Sequence, residues 1–220
     1  MPKLEWGKIE NKRYEAGVEK VALFLQDSAG KYPSGVAWDG VTNISESPSG
    51  AEPTKLYADN KVFLVLMSNE ELGVSISAYM YPDEFEACQG HVDVVPGFSL
   101  KQQTRKPFGL AYVTLIGDAT EGIEHGYKLH LVYGILASPT EEAHPTINES
   151  VEPQEMSWDC TTTPVQVPGF KATSSLSFSS LDFGENMKAL EDIVFGSDSE
   201  DAKLPLPSEL ITMFKLEPEG

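Results

Sequence analysis

Residues 73–81, GVSISAYMY, decide the fold class. Val74, Ile76, Ala78 and Met80 alternate with Ser75, Ser77 and Tyr79. A period of two sends these sets to opposite faces of a strand. An apolar face backed by a hydroxyl-rich face reads as a half-buried β-strand. The pattern recurs on both sides of this stretch. In residues 126–137, Tyr127, Leu129, Leu131, Tyr133 and Ile135 share one face, while Lys128 and His130 share the other. Residues 108–116 form another strand, joined to it by GDATEGIEH, whose Gly, Asp and Thr suit a hairpin connection. Residues 18–26 carry Val21, Leu23 and Leu25 at strand spacing, with a short helix as the alternative. Residues 61–67, 154–163 and 171–181 complete the series; Met156, Trp158 and Cys160 mark a core face in the second of these. Val62 to Met67 is the longest strongly apolar run and is expected to be a buried strand.

Near its end the chain changes period. Met187, Leu190, Ile193 and Val194 form an apolar face at helical spacing, predicting a helix over 183–195. Asp182 and Glu185 stand at capping-box spacing before it, and Gly196 is placed to end it in the left-handed conformation. Pro207, Ser208 and Glu209 open a second, shorter helix running through Phe214. Residues 82–107 read as a loop-rich region with a turn at Pro96-Gly97, and residues 39–60 read as one long polar loop. Loops of such length in a compact domain usually have a function or are disordered. The fold class expected is mainly β, a β-sandwich or barrel with a flanking C-terminal α-helix and long loops. The expected organisation is an N-terminal arm over 1–17, one domain over 18–215 and a short tail over 216–220.

Charge restricts the function. The 220 residues hold 34 acidic and 16 basic side chains, a net charge of −18. A general nucleic-acid binder needs basic surface to displace counterions from phosphates, and this balance is the reverse. No run approaches the roughly 18 apolar residues of a membrane helix. The opening MPKLEWGKIENKRYE lacks the apolar core of a secretory leader, so a reducing cytoplasm is expected, with Cys88 and Cys160 as free, partly buried thiols. The glycosylation patterns at Asn43 and Asn148 are then chance matches.

Catalytic chemistry has little to stand on. His91, His125, His130 and His144 form no HExxH and no zinc spacing with cysteine. His125 and His130 lie five apart on one strand and so are expected on opposite faces. GxSxG, GxxxxGK[ST] and GxGxxG are all missing from the sequence. Asp83, Glu84 and Glu86 read as a solvated acidic loop. Lys101, Arg105 and Lys106 form the basic cluster of the chain, either solvated or paired with acidic surface on a neighbouring subunit. The expectation is a non-enzyme with no catalytic, cofactor-binding or metal-binding residues.

Several stretches resemble the major tail proteins of long-tailed, non-contractile bacteriophages and prophages of Gram-positive bacteria. They are KLYADNKVFLVLMS with YPDEFEACQG, QQTRKPFGLAYVTLIGD, HGYKLHLVYGILASP, TTPVQVPGFKATSSLSF, and KALEDIVFG with LPLPSEL. They stand in the family's order from about Val18 to Phe214. The resemblance implies a structural virion protein that assembles into stacked, usually hexameric, rings forming the tail tube. Its implied partners are itself, the tape measure protein, the tail terminator and distal tail or baseplate proteins. DNA would cross the lumen without specific binding, and no membrane is involved. The implied location is the virion tail, with the host cytoplasm during assembly. On that reading the 39–60 loop mediates contact between rings or subunits. Part of the acidic charge, from residues such as Glu70, Glu71, Asp83 or Asp118, lines the lumen and repels phosphates. The competing expectations are a type VI-secretion-like tube or another tail component, and a secreted carbohydrate-binding or hydrolytic β-sandwich.

Overall fold

A computed structural model describes residues 6, 12–120, 122–144, 146 and 153–215. The strands are β1 (Arg13–Leu25), β2 (Gly35–Ala37), β3 (Val41–Gly50), β4 (Pro53–Ala58), β5 (Lys61–Met67), β6 (Glu70–Ala78), β7 (Val92–Val95), β8 (Phe98–Leu100), β9 (Phe108–Asp118), β10 (Gly122–Ala137), β11 (Met156–Thr162) and β12 (Ser175–Ser179). The helices are α1 (Glu86–Gln89), α2 (Ser180–Phe183), α3 (Asn186–Val194) and α4 (Pro207–Phe214). One antiparallel sheet runs β2-β1-β9-β10-β11-β6-β3, with β12 also paired to β10. Mainly β architecture with C-terminal helices is thus what the chain adopts.

Alternation on β9 separates two cores. Leu110 and Tyr112 enter one cluster with Val21 and Leu23 of β1, Val74, Ile76 and Ala78 of β6, and Trp158 and Cys160 of β11. Residues from both ends of the sheet meet there, so the sheet folds over on itself around this cluster. Ala111 and Val113 point the other way and join Leu129, Leu131, Met187, Leu190, Val194 and Leu210. Helices α3 and α4 therefore cover the outer face of β1, β9 and β10.

Gly134 makes the corner. Before it, β10 pairs with β12 from Lys128 to Val132. After it, β10 pairs with β11 from Ile135. Its φ is +61°, and an added Cβ would lie 2.3 Å from the Thr163 carbonyl oxygen. Its N–H donates to the Tyr32 hydroxyl oxygen at 2.8 Å, so the interrupted ladder leaves this donor satisfied. Gly134→Ala is expected to destabilise the fold by about 2 kcal/mol or more, from the left-handed backbone and the backbone clash together. Urea unfolding checks this, and a loss under about 0.5 kcal/mol, the range of an ordinary surface change, would refute it.

Several expectations need correcting. Residues 39–60 are not a loop: β3 pairs with β6 from Val41 to Gly50, and β4 pairs with β5. The polar run misleads because β3 is an edge strand, where Pro48 has no second neighbour that needs its missing N–H. Asp59 and Asn60 both take positive φ, of 50° and 61°, which closes a two-residue hairpin without glycine. Val62 to Met67 is a strand but is exposed throughout. Residues 82–107 contain a 3-10 turn at Asp83–Phe85, α1, and the β7–β8 hairpin, with Pro96-Gly97 at its tip as expected. The expected arm over 1–17 is shorter, because Arg13 to Ala16 already pair with β9. Other than Trp6 and Lys12, residues 1–12 lie outside the described set, as does the 216–220 tail.

The expected 183–195 helix is split. Gly184, at φ 59° and ψ −134°, separates α2 from α3. Glu185 precedes α3 without a side-chain capping bond, so the expected Asp182–Glu185 box does not form. Gly196 does end the segment at φ +82°. Helix α4 begins at Pro207 as expected, and the Glu209 carboxylate accepts from the Leu206 N–H at 3.2 Å.

Candidate functional site

Strand β6 stays in the folded sheet as far as Gly73, where it still pairs with β11; beyond that point residues 48–50 and 70–72 run out as a two-stranded arm, continued by β4 and β5. The arm kinks where Gly50 and Ala51 take φ of 81° and 55°. Beyond the kink the ribbon's apolar side chains stay in water. Leu56, Tyr57, Val62, Phe63, Leu64, Val65, Leu66 and Met67 are 43–74% exposed. Register assigns their faces. Leu64 and Leu66 stand opposite Leu56 and Thr54 on one face, and Val65 and Met67 stand opposite Lys55 and Pro53 on the other. Most antiparallel ribbons keep one face polar for water, whereas this one is apolar on both. The β7–β8 hairpin adds Val92, Val94, Val95, Phe98 and Leu100, each 42–55% exposed.

The opposite surface character lies at the arm's base. On β3, Asn43, Ser45 and Ser47 point away from the core beside Ser75 and Ser77 of β6, and Ser157, Asp159 and Thr161 of β11. Ser75 Oγ donates to Asp159 Oδ1 at 2.6 Å, and Ser77 Oγ to Ser157 Oγ at 3.3 Å. These eight side chains make a face of small hydroxyls, one amide and one carboxylate, with no cation. Of the four acids singled out from the sequence, Glu71 opposite Ser49 continues this face. Asp83 lies in the 3-10 turn, Asp118 ends β9 and sits 3.4 Å from His125 Nδ1, and Glu70 falls on the other face by alternation.

A partly buried polar cluster ties the arm to the sheet. Tyr112 donates to Glu46 Oε1 at 2.6 Å and stacks on the His130 ring at 4.6 Å with planes 5° apart. His130 Nε2 lies 2.9 Å from Thr114 Oγ1 and 3.4 Å from Glu15 Oε1. Burial lowers the His130 pKa more than Glu46 and Glu15 raise it, which favours the neutral ring. Burial raises Glu15, but hydrogen bonds from Lys128 and Thr114 hold its carboxyl below the usual range overall. Burial, then the hydrogen bond to Glu46, raise the Tyr112 phenol. The cluster joins β1, β3, β9 and β10 and reads as a structural lock on the arm.

Cys88 and Cys160 are free thiols in the first core, each pushed up to about 12 chiefly by burial. Such thiols are poor nucleophiles at neutral pH. Among the described residues no group of three or more His, Cys, Asp or Glu side chains is placed to hold a metal ion. His91 and His144 both border a cleft near Lys101 and Arg105. Among the described residues no helix is long and apolar enough to cross a membrane. No family model matches the chain, and no curated protein matches it.

Proposed function

We propose that this chain is a self-assembling structural subunit, a tail tube protein of a long-tailed bacteriophage. The observation that carries the reading is the β4–β5 ribbon, apolar on both faces and exposed to water. Exposed apolar surface of this extent marks an interaction site. A ribbon needing cover on both faces suits insertion between two bodies, as in a ring stacked on its neighbour. Full burial of a large apolar side chain contributes about 1.5–3 kcal/mol. The eight ribbon side chains are already partly covered, so their remaining burial is worth on the order of 6–12 kcal/mol. Association of two bodies costs about 4–15 kcal/mol in lost freedom. One such contact is therefore near balance, and a closed ring that repeats it is not.

The hydroxyl face of β3, β6 and β11 supports the same reading. A wall of small polar groups with Asp159 and Glu71, and no cation, would give DNA phosphates no foothold. The family order of the segments from Val18 to Phe214 is the third support. A tail tube subunit of this kind has no turnover and takes no cofactor.

The test is the assembly state of the purified protein. Sedimentation and negative-stain electron microscopy are expected to show rings or tubes at raised concentration. A monomer at every concentration and salt strength would overturn the reading.

A further inference from the structure

Among the described residues two small sheets stand apart from the folded sheet, the β4–β5 ribbon and the β7–β8 hairpin. A lone two-stranded sheet is marginally stable in water unless something covers its apolar side. The hairpin differs from the ribbon in having a single apolar face. Its register pairs Val92 with Leu100, Asp93 with Ser99 and Val95 with Phe98. The extra residue, Val94, forms a bulge that sets Val94 and Val95 together opposite Phe98. Alternation places Val92, Val95, Phe98 and Leu100 on one face, with Val94 beside them, and Asp93 and Ser99 on the other. The polar face is turned to its own chain: Ser99 Oγ donates to Asp93 Oδ1 and lies 3.4 Å from Glu86 Oε2 of α1. The apolar face is therefore the outer one, and its five side chains are 42–55% exposed.

The two hairpins leave opposite ends of β6. The ribbon joins β6 at Glu70, and the segment leading through α1 to β7 follows Ala78. The nine residues of β6 separate these ends, a span of about 30 Å. One chain thus offers an uncovered apolar face off one end of β6 and a protruding apolar ribbon off the other. A head-to-tail contact needs two such different surfaces, repeated from copy to copy. Charge points to the same pair. At −18, two copies repel over most of their surface, so they must meet where acid is missing. Residues 62–67 and 94–100 carry no charged side chain. Around them the charges are mixed: Lys55, Asp59 and Lys61 on the ribbon, Glu86 and Asp93 with Lys101 and Lys106 by the hairpin. Apolar cover, and not ion pairing, is then the driving term. At half exposure the hairpin's five side chains leave on the order of 400 Å² in water, the scale of a functional patch. The ribbon leaves roughly twice that over its two faces, so the hairpin matches one of them.

We propose that the apolar face of the β7–β8 hairpin seats one face of the β4–β5 ribbon of a second copy. The pairing rests on the self-assembly reading above and supplies one of the two bodies between which the ribbon lies. Photo-crosslinking of the full chain tests it. Phe98→p-benzoylphenylalanine keeps an aromatic ring at an exposed position. Illumination of the assembled protein is expected to join residue 98 to a peptide within residues 53–67, and mixing light with isotope-heavy chains assigns the link to two different copies. A second variant carries Val94→Asp with Phe98→Asp. These side chains are 55% and 54% exposed in the monomer, so it is expected to keep the wild-type urea midpoint and to sediment as a monomer where the wild type assembles. If it unfolds, the crosslink alone decides. A folded variant that assembles like the wild type would overturn the proposal. So would assembled protein in which residue 98 links only to the hairpin of another copy, to any segment outside 53–67, or to nothing. A wild type that never assembles would instead overturn the self-assembly reading.

Discussion

Placing aspartate on either face of the β4–β5 ribbon is expected to abolish assembly while leaving the monomer folded. One variant carries Leu64→Asp with Leu66→Asp; the other carries Val65→Asp with Met67→Asp. These residues are 46–69% exposed in the monomer, so each substitution should change its stability by about 0.5 kcal/mol or less. At an interface the balance is different. Each variant loses two apolar contacts and forces two unpaired carboxylates out of water, a penalty of several kcal/mol. That exceeds the narrow margin of a single subunit contact. Both variants should therefore run as monomers in sedimentation with urea midpoints close to the wild type. If only one face matters, the ribbon lies on a single body and the insertion argument fails. If neither does, the ribbon is not the assembly surface.

Leu190→Ala is expected to destabilise the fold by about 2–5 kcal/mol. Leu190 is fully buried on α3 and sits with Met187, Val194 and Leu210 against the sheet. Removing its branched end leaves a cavity between helix and sheet that the rigid strands cannot close. Urea unfolding reads the loss directly, and a shift below about 0.5 kcal/mol would show that the helix does not seal this core. The same substitution should leave assembly of the folded fraction intact, because the Leu190 side chain faces the second core and not the surface. This separates fold stability from surface recognition.

The strands that pack on a core are legible in the amino-acid sequence alone. Period-two alternation in residues 73–81 and 126–137 reports directly which side chains leave water, because burial selects every second residue. Met156, Trp158 and Cys160 declare their core face for the same reason. Gly196 and Pro207 are legible because left-handed backbone and a helix's first turn each favour one residue type. The break at Gly184 is not, since helical periodicity on both sides of it continues in phase. Only the tertiary structure decides that residues 41–50 and 53–58 are strand. Their composition is that of a loop, and 41–50 hold β geometry because β6 supplies the partner. Only the tertiary structure decides, too, that Val62 to Met67 stays in water. Hydrophobicity in a sequence says that a side chain needs cover, but not whether the chain itself provides it. Here the arm carries these residues past the end of the sheet, beyond the helices and strands that cover the two cores. Likewise, Gln89, Lys101 and Arg105 carry no motif between them. They form one cleft because α1 and the segment after β8 fold against β11, and distance in the chain conceals that meeting.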